Sequence, residues 1–242
     1  MDSTKITRPA RKLLNLKLKK CGAVIVAAGS AARMGGIDKV MAPIGGEPMI
    51  RRTVRNFQEC DAISEIVVVT RLDLLNAVSE LCKDFDKVTA VVVGGKDRVA
   101  STHLGLNALS DKVKLAAIHD GARPFAAWQL IDRVVRAANS YGAAAPAVPM
   151  KDTVKEVVGG VVKSTPDRST LRAVQTPQVF DFDMIRGALK KAILEEAKIT
   201  DDCSAIENMG MSVKIVEGEE TNIKITTPLD LKMAELIAEE MA

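Results

Sequence analysis

Five short aliphatic runs recur along the first two-thirds of the chain: AVIVAA (23–28), EIVVVT (65–70), KVTAVVV (87–93), KLAAIHD (114–120) and GAAAPAVP (142–149). Runs of Val, Ile and Ala without polar alternation indicate strands covered on both faces. Between them, segments 47–60, 72–83, 97–110 and 126–141 space their apolar residues at close to 3.6 and read as helices. Strands and helices in this alternation predict an α/β fold, doubly wound around a mostly parallel, Rossmann-like sheet. Ligands of such sheets bind beyond the carboxyl ends of the strands. Gly29, Thr70, Gly94–Gly95 and Asp120 are therefore expected along one rim.

The alternation breaks at KDTVKEVVGGVVKSTPDR (151–168), where two β-prone runs flank Gly159-Gly160. That pattern predicts a hairpin with a two-residue turn. An isolated hairpin is marginal in water, so Val154, Val157, Val158, Val161 and Val162 need a cover. Docking on a second subunit is preferred over packing back on the parent domain. Beyond it the sequence predicts a helix from about 181 to 197 and a short strand in SVKIVEG. A last helix is capped by Thr227 with Pro228 at its first position. Lys224 is expected in an otherwise apolar strand, NIKITTP.

Composition narrows the class. The 242 residues are 47% hydrophobic and 27% charged, enough for one sizeable core, while aromatics make up only 3%. An aliphatic core follows, and base-stacking platforms of the RNA-binding kind are not expected. Net charge is +3, but residues 1–20 carry seven Lys/Arg and one acidic residue, which leaves the rest at about −3. The body is thus no nucleic-acid binder by charge. Residues 1–20 read as a basic, disordered extension and 21–242 as a single domain with the arm at about 151–168. No apolar run reaches about 18 residues, so no membrane span is expected. Cys21, Cys60, Cys82 and Cys203 lack metal or redox spacing and suit a reducing cytoplasm; no protein-held metal site is expected.

Candidate chemistry starts at VIVAAGSAARMGG (24–36), where a strand ends in residues with almost no side chain. The dinucleotide fingerprint would need glycines where Ala31 and Met34 stand, with an acidic residue about 20 positions on. The P-loop fails as well, because Met34 and Gly35 replace its Gly-Lys pair. What remains is bare backbone at Ala27, Ala28 and Gly29, which lets a base or phosphate approach closely, followed by Arg33 and Lys39. Arginine forks onto phosphate oxygens, and lysine acts as a mobile point charge. VVGGKDRVAST adds Gly94-Gly95, then Arg98 and Ser101 at a helix start, a natural anion position. IHDGARP puts Asp120 and Arg123 just past the fourth strand, with His119 read as a partly buried strand-end residue. The cationic rim points to a polyanionic substrate. No serine, cysteine or histidine is placed as an activated nucleophile, which favours direct phosphoryl or nucleotidyl transfer over covalent catalysis.

Seven stretches in order, AAGSAARMGG…DK, GGKDRVAS, HDGARP, KDTVK, PDRSTLRAVQTPQ, TDD and NIKITTPLDL, carry a more specific signal. Over about 22–238 the chain resembles the 2-C-methyl-D-erythritol 4-phosphate cytidylyltransferases of the non-mevalonate isoprenoid pathway. The resemblance implies a nucleotidyltransferase fold, a homodimer through the 151–168 arm, and CTP with Mg²⁺ held mainly by its phosphates. It also implies attack of a polyol phosphate on the α-phosphorus of CTP, with loss of pyrophosphate.

By motif position, the resemblance gives Arg33 and Lys39 the transition-state charge, and Lys224 and Arg168 the acceptor phosphate. It places Asp120, Arg123, Thr153 and Thr200 around the acceptor, with Thr153 and Arg168 coming from the neighbouring subunit. Cytosine and ribose would lie against Ala27, Ala28, Gly29, Gly95 and Ser101. The chain departs from the family pattern at Ala31, where a second glycine is common, at Val40, where glutamine is usual, and at Lys96, often acidic. Two alternatives stand beside this reading: a ribitol-5-phosphate cytidylyltransferase, and a non-catalytic nucleotide- or RNA-binding protein.

Overall fold

The computed structural model describes residues 17–29 and 38–241. Arg33, Ala31 and the greater part of the basic extension lie outside the described residues. In chain order the elements begin β1 (Cys21–Val26), β2 (Pro43–Ile44), β3 (Glu47–Pro48), α1 (Met49–Glu59), β4 (Ile63–Thr70), α2 (Leu75–Cys82) and β5 (Val88–Val93). Next come α3 (Arg98–Ala108), β6 (Leu115–Asp120), α4 (Trp128–Tyr141), β7 (Ala143–Pro149), β8 (Glu156–Val158) and β9 (Val161–Ser164). The chain closes with β10 (Arg172–Val174), β11 (Gln178–Asp181), α5 (Phe182–Leu194), α6 (Asp202–Glu207), β12 (Lys214–Glu217) and α7 (Pro228–Glu240).

All five aliphatic runs are strands of one eight-stranded sheet, ordered β10-β7-β11-β6-β1-β4-β5, with β12 pairing β7. β5, β4, β1 and β6 pair in parallel in that order. β11 enters antiparallel between β6 and β7, β10 continues antiparallel along the same edge of β7 toward its carboxyl end, and β12 runs parallel on the other edge. Both inserted strands follow the 151–168 excursion. The chain leaves the sheet at the carboxyl end of β7 and has to run back down, so these two strands oppose the rest.

Side-chain alternation along β1 divides two cores. Ala23 and Ile25 face a cluster with Val54, Phe57, Val78 and Ile131, under α1, α2 and α4. Val24 faces Leu106, Phe180, Ile185 and Ile206, under α3, α5 and α6. Burying such side chains completely is worth roughly 1.5–3 kcal/mol each. A smaller cluster of Ile44, Met49, Phe125, Ile225 and Ala234 fixes α7 beside the carboxyl rim.

Three sequence expectations change in detail. The segment around Lys224 is irregular rather than a strand: residues 222–226 have no sheet partner. Ile225 donates to the Ala122 carbonyl at 2.9 Å, and the chain then turns into α7 through the Thr227 cap. His119 is fully buried rather than partly so. Lys19 and Lys20 already attach to the domain, since Lys19 N–H donates to Asn139 Oδ1 and the Lys20 carbonyl accepts from Lys114 and Leu115.

The predicted hairpin forms, with Val157 opposite Val162 and Val158 opposite Val161. Gly159 and Gly160 both take positive φ, +58° and +81°, the requirement of a tight two-residue turn. Its valines are left in solvent, Val158 63% and Val161 69% exposed. Among the described residues, no helix is long and apolar enough to cross a membrane.

Candidate active site

The carboxyl ends of β5, β4, β1 and β6 are drawn together by backbone bonds that continue past the strands. Ala27 N–H donates to the Val69 carbonyl at 2.7 Å, Gly94 to Thr70 at 2.8 Å and Gly121 to Val26 at 2.8 Å. A cleft of about 440 Å³ opens above them, a nucleotide-sized space. One wall is Ala27, Ala28, Gly29 and Gly95, nearly bare backbone. A β-carbon on Gly94 would stand 2.4 Å from that of Ala28, so only glycine lets the two loops approach this closely. Ser101 ties the second loop down: its Oγ accepts from Gly95 N–H at 3.1 Å and donates to the Asp97 carbonyl at 2.7 Å. The Asp97 carboxylate caps α3 through Ala100 N–H.

The rest of the lining is charged. Lys39, Lys96, Arg98 and Lys224 line the cleft against two carboxylates, Asp97 and Asp120. Lys39 starts a helical turn whose next residue, Val40, is buried in the core and fixes the turn. Just before it, Asp38 pairs with Arg71 at the end of β4.

Asp120 is the hub. Its Oδ2 lies 2.6 Å from Lys224 Nζ and 3.9 Å from Arg123 Nε, while Oδ1 accepts from Arg98 Nε at 3.2 Å. Burial by itself would raise its pKa, but the charges of Arg98 and Lys224 outweigh that and hold the carboxyl well below the usual range. Arg98 also donates through Nη2 to Asp202, 2.7 Å away and fully buried. Arg123 donates to the Asn222 carbonyl at 2.6 Å, which fastens the irregular segment carrying Lys224.

His119 faces away from this chemistry. The Arg123 carbonyl, 3.0 Å from His119 Nε2, can only accept, so that nitrogen carries the proton of the neutral ring. Nδ1 then accepts from Thr176 Oγ1 at 3.0 Å, whose oxygen also accepts from Asp120 N–H at 3.1 Å. Burial pushes the imidazole pKa down to about 4, in keeping with a neutral ring. His119 braces the Asp120–Arg123 turn and is no general base.

Bare backbone and clustered cations in one lining suit a nucleotide with its phosphates. The model of the 2-C-methyl-D-erythritol 4-phosphate cytidylyltransferase family matches residues 21–240. The chain belongs to that family. It is 42% identical to the 2-C-methyl-D-erythritol 4-phosphate cytidylyltransferase of Symbiobacterium thermophilum, over 90% of this chain and 93% of that one. It is 44% identical to the one of Dehalococcoides mccartyi, over 90% and 96%. The 4-diphosphocytidyl-2C-methyl-D-erythritol synthase structure from Anaerococcus prevotii superposes with a TM-score of 0.83 at 34% identity, over 91% of this chain and 96% of that one. The Thermus thermophilus cytidylyltransferase structure gives 0.74 at 32%, over 89% and 98%.

Of the residues singled out from sequence, Ala27, Ala28, Gly29, Lys39, Gly95, Ser101, Asp120 and Lys224 all line the cleft. Arg123 sits just behind it, paired with Asp120. Thr153 and Arg168 are exposed at the hairpin base, where Arg168 Nη1 donates to the Lys151 carbonyl. Thr200 is exposed ahead of α6, its N–H donating to Ser204 Oγ. These three do not line the cleft of their own chain. Sequence reasoning did not single out Asp202: TDD enters only as one of the seven resemblance stretches, and in the structure its first aspartate, Asp201, caps α6. Nothing in the spacing says that the second aspartate turns inward to Arg98.

Proposed function

We propose that the chain transfers CMP from CTP to 2-C-methyl-D-erythritol 4-phosphate, giving 4-diphosphocytidyl-2-C-methyl-D-erythritol and pyrophosphate. The observation that carries this reading is the pairing of a bare-backbone wall with the Asp120–Lys224–Arg98 cluster in one cleft. Cytosine and ribose lie against Ala27, Ala28, Gly29 and Gly95, with Ser101 holding the loop. An acceptor phosphate oxygen attacks the α-phosphorus, the bond to the β-phosphate oxygen breaks, and pyrophosphate takes the electron pair. Lys39 and Arg33 stabilise the charge that gathers on the five-coordinate phosphorus. Lys224, steadied by Asp120, orients the acceptor phosphate, and Arg123 holds the segment on which Lys224 sits.

Mg²⁺ fits as a companion of the nucleotide. Among the described residues no three His, Cys, Asp or Glu side chains are grouped to hold a metal, and both Asp120 oxygens already face cations. When bound it adds positive charge along the triphosphate.

The working form in this reading is a homodimer. Four valines, each a little over half exposed, forfeit roughly 1 kcal/mol each, which a partner's surface would recover. In that dimer Thr153 and Arg168 reach the neighbour's acceptor site, and Thr200 lies at its edge. Four buried, free cysteines suit a reducing cytoplasm.

The test is pyrophosphate release from CTP and Mg²⁺ with each polyol phosphate. Turnover with 2-C-methyl-D-erythritol 4-phosphate is expected to exceed that with ribitol 5-phosphate. The reverse preference would reassign the acceptor. A melting-temperature rise with CTP but turnover with neither would make the chain a nucleotide-binding protein.

A further inference from the structure

Four charged side chains form a line from the core to the cleft: Asp202, Arg98, Asp120, Lys224. The contacts are 2.7 Å (Asp202 Oδ2 to Arg98 Nη2), 3.2 Å (Arg98 Nε to Asp120 Oδ1) and 2.6 Å (Asp120 Oδ2 to Lys224 Nζ). Each comes from a different part of the chain: α6, α3, the end of β6 and the segment before α7. Asp202 does not reach the cleft. Its side chain is wholly buried, and its second oxygen, Oδ1, has no hydrogen-bond partner. A buried carboxylate with an unpaired oxygen carries a desolvation penalty, so stability alone is a poor reason for it.

We infer that Asp202 is a positioning residue, which holds Arg98 so that Asp120 keeps one oxygen for Lys224. A guanidinium with a single carboxylate neighbour tends to engage both of its oxygens. With Nη2 drawn to Asp202, Arg98 presents only Nε to Asp120. The other oxygen then faces Lys224 and fixes the ammonium at the acceptor side. Asp202 thereby sets the geometry of a group it never touches.

The inference rests on the cytidylyltransferase reading for its kinetic readout, and a second readout does not need turnover. The full chain is compared as wild type, Asp202→Ala, Asp202→Asn, Arg98→Ala and the Asp202→Ala/Arg98→Ala double variant. Asp202→Ala is expected to lower kcat about tenfold, while KM for CTP moves less than about threefold. Asp202→Asn, which keeps an oxygen for Nη2, should recover part of that loss. The double variant should be no slower than Arg98→Ala, because both act through one guanidinium. In thermal melts the double variant should stand above Arg98→Ala, whose Asp202 is buried and unpaired. Unchanged kcat in Asp202→Ala, losses that multiply in the double variant, or a double variant melting below both singles would overturn the assignment. If Asp202→Ala does not fold, the same cycle is run with Asp202→Asn. An inactive wild type would count against the functional reading alone, and the melting cycle would still decide the coupling.

Discussion

Lys224 meets Asp120 at 2.6 Å across the cleft floor, the lysine side chain 41% exposed and the carboxylate 11%. A mobile cation is thus tethered to an anchored anion. Three cations face Asp120, at 2.6, 3.2 and 3.9 Å, so it remains ionised at any working pH. The arrangement leaves the ammonium half in solvent at a defined place, where an incoming phosphate can take it over without recruiting a lysine from bulk water.

Lys224→Ala should therefore cut kcat/KM for the polyol phosphate about a hundredfold and change CTP binding less than about threefold. Steady-state kinetics in both substrates, with CTP binding by calorimetry, make the comparison. A loss confined to CTP binding would place Lys224 on the nucleotide instead. Asp120→Asn should be worse for stability as well as turnover, because it leaves Arg98, Arg123 and Lys224 facing one another. Removing one partner of a fully buried ion pair costs about 3–5 kcal/mol, and with Lys224 and Arg98 partly in solvent the loss here should fall below that.

Lys39→Ala should lower kcat about a hundredfold or more, as when a charge aimed at a transition state is lost. Its neighbour Val40 stays packed in the core, so the turn that carries position 39 should keep its place. Near-normal kcat with a raised KM for CTP would make Lys39 a ground-state contact.

His119 predicts the direction of acid sensitivity. Its pKa is near 4 in the folded chain against 6.5 in the free side chain. Between those values the unfolded chain binds the extra proton, so stability falls as pH drops from about 6.5 to 4 and the effect saturates below. At about 1.4 kcal/mol per pH unit, the loss from this residue approaches roughly 3 kcal/mol. Denaturant melts at pH 7, 5.5 and 4.5 should show a steeper decline for wild type than for His119→Gln, which is less stable at pH 7 but lacks this proton. Parallel declines would mean that His119 titrates alike in both states.

The fold was largely legible because buried strands and amphipathic helices leave periodic marks, and Gly159-Gly160 marks a turn chemically. β10 and β11 were not, since their direction follows from the arm they close rather than from their own residues. In the cleft, residues next to strand ends announced themselves: Ala27, Gly29, Gly95 and Asp120. Lys224 reads as part of a strand, because Ile223 and Ile225 mimic strand alternation, whereas their N–H groups bond to the Thr221 and Ala122 carbonyls rather than to a neighbouring strand. Asp202 was silent, since inward rotation of a carboxylate depends on a partner more than a hundred positions away.

The hairpin allows the sharpest test of assembly. Thr153 and Arg168 stand at its two ends, exposed and off the cleft of their own chain, and an isologous two-fold contact would let both arms reach across. Lys39→Ala and Arg168→Ala, each inactive alone, are mixed in equal amounts and allowed to exchange subunits. If Arg168 serves the neighbour's site, every mixed dimer has one site lacking both residues and one intact site. Random exchange makes about half the dimers mixed, so activity should return to roughly a quarter of wild type. If Arg168 serves its own chain, every site in the mixture lacks one residue and nothing returns. Co-purification through two different tags establishes exchange independently of activity. Exchange without recovery would rule out the shared site and return Arg168 to its own chain, where it could touch a substrate only if the hairpin folded back over the cleft.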